Sequence, residues 1–421
     1  MHRLLGSTFI SVLLVGGLGS AGCSDKTAAP VEATGSAQEA DAIASYEQPE
    51  TLVAGASRRL ADNISADDIG KDFGLPDERA PYPDTYWPYI QGGSDARWNP
   101  YGIDPRTPLE KYMAATNPFA TDLAKVWEYQ NHGTGMPNVQ TWHGHCPGWA
   151  AASTSNAPIR HPVFAAPNGQ GGITPCQEGE YGCVRFEIGD LNALMAEAWL
   201  DGPAAVLGTG CNTPPYYIPR DLYGRIAKPG CDGVNAGSLL VVASTLLKQN
   251  QTAFAIEAQN PQTTAQIRNQ PTYRYHVYDF HPLTRSQAAN MVARGTTSGP
   301  DASYPWNPAA RGFAFVDLGL RFVGEDHAHL DFVSGTHTTY EMRMAAVIEL
   351  DADASNPNAK ILGGEYLDLP SSQANRLTVP PYVWVSRGAG PDQLPWYVNG
   401  SQHNPYVRPS VVKQLVALGQ Q

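Results

Sequence analysis

Proline and glycine punctuate this chain too often for more than a few long helices, with 35 and 41 of them among 421 residues. Proline lacks a backbone donor and clashes inside a helix, and both residues favour turns. The spacing points to a mixed α and β protein with short elements and long loops, not to a helical bundle. At 42% hydrophobic and 16% charged residues, the chain can bury one large or two ordinary cores. Its formal net charge of -12 is spread without long single-sign runs, which speaks against a phosphate-backbone partner and hence against nucleic acid.

The first 22 residues read as an export signal: His2 and Arg3, an apolar run from Leu4 to Leu18, then Gly19-Ser20-Ala21-Gly22-Cys23. Small residues before a cysteine suit a lipoprotein signal peptidase, so Cys23 is the expected lipidation site; the alternative is an ordinary signal peptide whose Cys23 later joins a disulfide. No later apolar run approaches the length of about 18 residues that a span requires, so membrane attachment is expected through the lipid anchor only. The expected location is the outer membrane or cell surface, on the periplasmic or extracellular side. Residues 23–75, rich in Ala, Ser, Thr, Asp and Glu, read as a flexible spacer.

From 76 to 421 the texture is that of an α+β domain, helical to about 235 and rich in antiparallel sheet over about 236–400. Thr107, Pro108 and Glu110 form a capping box that opens a helix. Val184 to Ile188 alternates like a strand, and a helix follows behind an Asp190 cap. Leu239 to Leu247, Ala253 to Glu257, Tyr273 to Phe280, Phe313 to Val323 and Met342 to Leu350 read as strands.

If Cys23 carries lipid, five cysteines remain, and an odd number in an oxidising compartment leaves one thiol over. Cys176 and Cys183 flank one short loop, Cys211 and Cys231 a longer Pro-rich one. Each pair could close a local disulfide, the longer worth roughly 3 kcal/mol. Four cysteines nevertheless allow three connectivities. On this pairing Cys146 is the free thiol.

Cys146 lies in Gln140-Thr141-Trp142-His143-Gly144-His145-Cys146-Pro147-Gly148-Trp149-Ala150. Pro147 and the Ala-rich run behind it suit a thiol at the first turn of a helix, where the dipole favours thiolate, the nucleophile of acyl transfer. The bland alternative is a buried cysteine acting as a small hydrophobe. His143-x-His145 and Asp326-His327-x-His329 could bind a metal, since alternate residues on a strand share a face, but without a further ligand at characteristic spacing they read as surface histidines, and no metal and no cofactor is expected. The tryptophans read as core, and neither a phosphate-cradling loop nor a serine nucleophile elbow is present.

Trp142-x-Gly144-x-Cys146-x-Gly148-Trp149-Ala150 resembles the active-cysteine motif of the transglutaminase elicitor family. Other landmarks follow in that family's order: Tyr86-Trp87-Pro88, Arg97-Trp98, Pro108-x-Glu110-Lys111-Tyr112, Asp190 to Leu194, Cys211, Tyr223-Gly224-Arg225, Cys231-x-x-x-Asn235, Asn269-Gln270-Pro271, Glu349-Leu350-Asp351 and Gly363-Gly364-Glu365-Tyr366. The resemblance runs from about 81 to 385. It implies a cysteine-protease/transglutaminase-like core with a helix-borne cysteine, and a protein-glutamine gamma-glutamyltransferase in which Cys146 acts on proteins with accessible Gln and Lys.

The family's base is a histidine, and alignment through Asn235 and Gly237 puts Leu240 there and Glu257 at the orienting acid. Pro147 replaces a histidine after the cysteine, Arg268 replaces a tryptophan, and Val379-Pro380-Pro381-Tyr382-Val383-Trp384 replaces a stretch that begins with histidine. Either His143, His145 or His276 serves as base, or the protein keeps the fold as a binding module without turnover. A cysteine hydrolase or protease would use the same thioester step.

Overall fold

The computed structural model describes residues 48–209, 217, 219, 231, 233–258, 267–293, 303–330, 339–367, 380–392 and 402–421. The export signal, Cys23, Cys211 and Tyr223-Gly224-Arg225 lie outside these residues. The helices are short, as proline and glycine demand, although three later strands run to 12 or 15 residues. Elements α1 (Pro49–Leu52), α2 (Leu60–Asn63), β1 (Asp72–Gly74), α3 (Pro108–Thr116), α4 (Thr121–His132) and α5 (Cys146–Ser155) come first. They are followed by β2 (Val163–Pro167), β3 (Ile173–Pro175), β4 (Val184–Phe186), α6 (Ile188–Ala198), β5 (Ala204–Gly208) and α7 (Ala236–Ala243). The sheet-forming half comprises β6 (Phe254–Glu257), β7 (Asn269–Leu283), α8 (Arg285–Val292), β8 (Gly312–Val323), β9 (Thr339–Leu350), β10 (Ile361–Leu367) and β11 (Tyr382–Ser386), and α9 (Pro409–Gly419) follows. Among the described residues no helix is long and apolar enough to cross a membrane.

Antiparallel pairing orders the main sheet β10-β9-β8-β7-β6-β11-β5, with β1 also on β7, and β3-β2-β4 form a second sheet. Strand alternation splits the interior into two cores on opposite faces of the main sheet. Ala255, Tyr273, Tyr382 and Trp384 face α3, α5, α6 and α9, whereas Phe254, Ile256, Tyr275 and Val383 pack with α7 and the N-terminal segment. The α+β expectation holds, with strands already present before residue 235.

Three expectations need correction. Leu239–Leu247 is not a strand: Asn235 caps α7 by accepting from Gly237 N at 2.9 Å, and the segment runs on as a wider helical turn over Ser244–Gln249. Its residues from Ala236 to Leu247 are buried on every side, so the helix has no polar stripe to reveal its period. Asp190 is not the cap of α6 but its third residue, accepting from Glu187 N at 2.8 Å in a box that Glu187 opens. The spacer does not reach 75, since Leu52, Val53, Leu60 and Ile64 are buried in the α7 core and β1 pairs with Tyr275 and its neighbours. The capping box at Thr107, Pro108 and Glu110 is present as expected.

Many of the family-like landmarks are contacts of this fold. Asp190 accepts from Lys111 Nζ at 2.5 Å and from Trp98 Nε1 at 2.9 Å, so three landmark segments meet on one buried carboxylate. Glu349 accepts from Tyr304 OH at 2.6 Å and Asn307 Nδ2 at 2.7 Å. Tyr366 OH donates to Val234 O at 2.6 Å, beside the point where Gly237 backs onto Gly363.

Candidate active site

The motif around Cys146 is legible as packing. A Cβ on Gly144 would stand 2.4 Å from Tyr86 O, and one on Gly148 would stand 1.7 Å from Ala196 O. Glycine at the first lets the Tyr86-Trp87-Pro88 segment bridge to Gly144, and at the second lets α5 lie against α6. Trp149 is wholly buried and donates through Nε1 to Tyr82 O at 3.2 Å. With Pro147 inside the first turn and three small alanines behind, Cys146 is held at the N-terminus of α5, pressed against β6, β7 and β11.

There the sulfur meets the Asn-Gln-Pro segment. Cys146 Sγ lies 3.9 Å from Ile267 O, and Asn269 Nδ2 donates toward it at 3.9 Å. Asn269 is oriented from its other end, where Oδ1 accepts from Trp384 Nε1 at 2.8 Å and Tyr382 OH at 3.3 Å. Glu257 stands directly opposite Asn269 in the β6–β7 register, and residues so paired project from the same face. The acid position thus shares the face that carries Asn269. Next along β7, Gln270 Nε2 donates to Glu325 Oε1 at 3.2 Å, and burial raises the Glu325 carboxyl against the opposing charge of Arg268. Trp384→Phe removes the 2.8 Å bond that aims Asn269 and is expected to cost about 1–2 kcal/mol in urea denaturation. A variant as stable as the parent would show that Asn269 is not anchored there.

Cys146 itself is not the free thiol expected. Cys146 and Cys231 are each disulfide-bonded, Cys176 pairs with Cys183, and no described cysteine is free. The Cys176–Cys183 expectation is borne out; that for Cys211 falls on a residue outside those described. The expectation of a free Cys146 rests on an odd count that places lipid on Cys23 and pairs neighbours along the chain, whereas sulfurs pair by nearness in space.

The histidines named as bases have other engagements. His143 Nδ1 accepts from Gln140 N at 3.3 Å, its ring stands edge-on to Trp142, and burial lowers its pKa, keeping it neutral. His145 is not on the surface: it is wholly buried, with Nε2 3.0 Å from His132 Nδ1 and 3.2 Å from Glu197 Oε2. Burial pushes it down to about 3, opposed by Glu197. His276 faces Asp72 at 3.1 Å, seven residues along β7 from Asn269, roughly 23 Å at strand rise. Leu240 is buried in the core on the sheet face away from α5, so that position could not present a base to Cys146. Asp326, His327 and His329 form a second cluster, with His327 Nδ1 2.6 Å from Asp326 Oδ1.

Three residues escaped the sequence reading: Glu128 and His132, four apart on α4, and Glu197 on α6. An acidic residue four before a histidine is a helix-face signal, but nothing in sequence tied it to His145.

A family model described as transglutaminase elicitor matches residues 127–394. The chain is similar in fold to the crystal structure of the GP42 transglutaminase from Phytophthora sojae, with a TM-score of 0.56 and 17% identity over 84% of this chain and 92% of that one. No curated protein sequence matches.

Proposed function

The chain belongs to the transglutaminase elicitor family, and from that premise we propose that it is a latent thiol acyltransferase of the cell envelope, acting on protein-bound glutamine. The observation that carries this reading is the placing of Cys146 at the start of α5 with Asn269 Nδ2 aimed at its sulfur. A helix N-terminus stabilises a thiolate, and an amide donor beside it can stabilise the oxyanion that follows.

Turnover first requires a dithiol reductant, which supplies two electrons and two protons to the Cys146 disulfide and becomes a disulfide itself. The Cys146 thiolate then attacks the γ-carboxamide carbon of a glutamine. The tetrahedral oxyanion collapses, ammonia leaves with a proton, and a thioester remains. A lysine amine attacks the thioester, loses its proton and expels the thiolate, giving an isopeptide bond. Water in place of the amine gives glutamate. Glu257, on the sheet face that carries Asn269, is the carboxylate offered for proton handling. The export signal and the disulfides support an exported lipoprotein anchored through Cys23, with proteins bearing accessible Gln and Lys as partners.

A second reading, a binding module without turnover, is favoured by Leu240 lying in the far core and by the engagement of His145 elsewhere. Incorporation of a labelled primary amine into a glutamine-rich acceptor separates the two. Incorporation is expected only after dithiol treatment, falling at least about 10³-fold in Cys146→Ala. No incorporation by the reduced parent protein would leave the binding module as the function.

A further inference from the structure

Glu128, His132, His145 and Glu197 form a closed cluster beside the start of α5. Glu128 and His132 lie four apart on one face of α4, His145 immediately precedes α5, and Glu197 is near the end of α6. All four are buried, His132 the most accessible at 3%. Two carboxylates and two imidazoles withdrawn from water demand compensation, and one protonated imidazole balances only one of the two negative charges.

The ligand atoms converge on a common centre. His132 Nδ1 lies 3.0 Å from His145 Nε2, 3.4 Å from Glu197 Oε2 and 3.5 Å from Glu128 Oε2. His145 Nε2 lies 3.2 Å from Glu197 Oε2 and 3.9 Å from Glu128 Oε1. A tetrahedral ion with bonds of about 2.0–2.1 Å has ligand-to-ligand edges of about 3.3 Å, the middle of this range. Glu197 Oε2, buried and facing both rings, makes no hydrogen bond.

Both Glu128 oxygens and the outer oxygen of Glu197 are held as a supporting shell would hold them. Ser94 N donates to Glu128 Oε1 at 2.8 Å, Asn404 Nδ2 donates to Glu128 Oε2 at 3.0 Å, and Asn404 N donates to Glu197 Oε1. Tyr89 stacks on the His132 ring at 4.7 Å. His145 Nδ1 has no hydrogen-bond partner, so its ring is fixed by packing instead.

We propose that Glu128, His132, His145 and Glu197 bind one divalent transition-metal ion, Zn²⁺ by preference, as a structural clamp on the N-terminus of α5. Two imidazoles disfavour Ca²⁺ and Mg²⁺, which take oxygen ligands. Four protein ligands leave no open position, the mark of a structural site. Binding sends the His132 proton to solvent and balances both carboxylates. The clamp joins α4, α5 and α6 and holds the residue before Cys146, whether or not Cys146 turns over.

The test uses the full chain, purified without chelator, loaded with Zn²⁺ or Co²⁺ and desalted. Elemental analysis is expected to give about one equivalent of metal, falling below about a tenth in Glu197→Gln and unchanged in Asp326→Asn, which alters the second cluster. The Co²⁺-loaded parent is expected to show the intense visible bands of a four-coordinate ion, a readout that needs no variant to fold. A parent that retains no metal, a pale six-coordinate Co²⁺ spectrum, or loss in Asp326→Asn with retention in Glu197→Gln would each overturn the proposal.

Discussion

Lys111→Met is expected to lower the unfolding free energy by about 3–5 kcal/mol, because it leaves the Asp190 carboxyl buried and without its cation. Lys111 and Asp190 have side chains 1% and 0% exposed and meet at 2.5 Å. Solvent cannot take over for the missing ammonium, and the donors that remain, Trp98 Nε1 and Glu187 N, carry no full charge. The loss belongs to the broken pair and not to the pair's net worth. Lys111→Met combined with Asp190→Leu is therefore expected to recover much of it, since apolar replacement of a buried pair is often near neutral. Urea denaturation of the two variants measures both quantities. A single-variant loss under about 1 kcal/mol would mean that water reaches Asp190 after all.

Gly148→Ala is expected to cost about 3 kcal/mol or more, at the upper end of overpacking, because the obstacle is backbone. The new methyl would stand 1.7 Å from Ala196 O and 2.7 Å from its carbonyl carbon, so α5 and α6 must separate. Separation shifts Cys146 at the head of α5 and pulls His145 from Glu197, its neighbour across the gap. Loss of stability should therefore accompany loss of amine incorporation by the reduced protein. A stable, active Gly148→Ala would show that the two helices do not approach so closely.

Much of this organisation was readable in sequence. The Thr107 box is a local signal, since all its hydrogen bonds join residues within one turn. The strands β6 to β9 announce themselves through apolar and β-branched runs. The start of α5 follows from Pro147 and the alanines. What was hidden depends on long-range partners. Helix α7 is apolar all round and rich in Leu and Val, so it imitates a buried strand. His145 looked like a candidate base because Cys146 is next to it in sequence, yet its neighbours are His132 and Glu197, drawn from two other helices. Asn269 and Cys146 each belonged to a recognisable motif, but only the fold brings them within 3.9 Å.

The position of β11 fixes an order of assembly. This strand lies between β6 and β5, so β5, made some 175 residues earlier, has no place in the sheet until residues Tyr382–Ser386 exist. Such sequence-distant pairing slows folding. Trp384 and Tyr382, the groups that anchor Asn269, arrive on the same strand. A nascent chain thus carries Cys146 long before the neighbour aimed at it is locked, and the Cys146–Asn269 geometry matures only once Tyr382–Ser386 have been made.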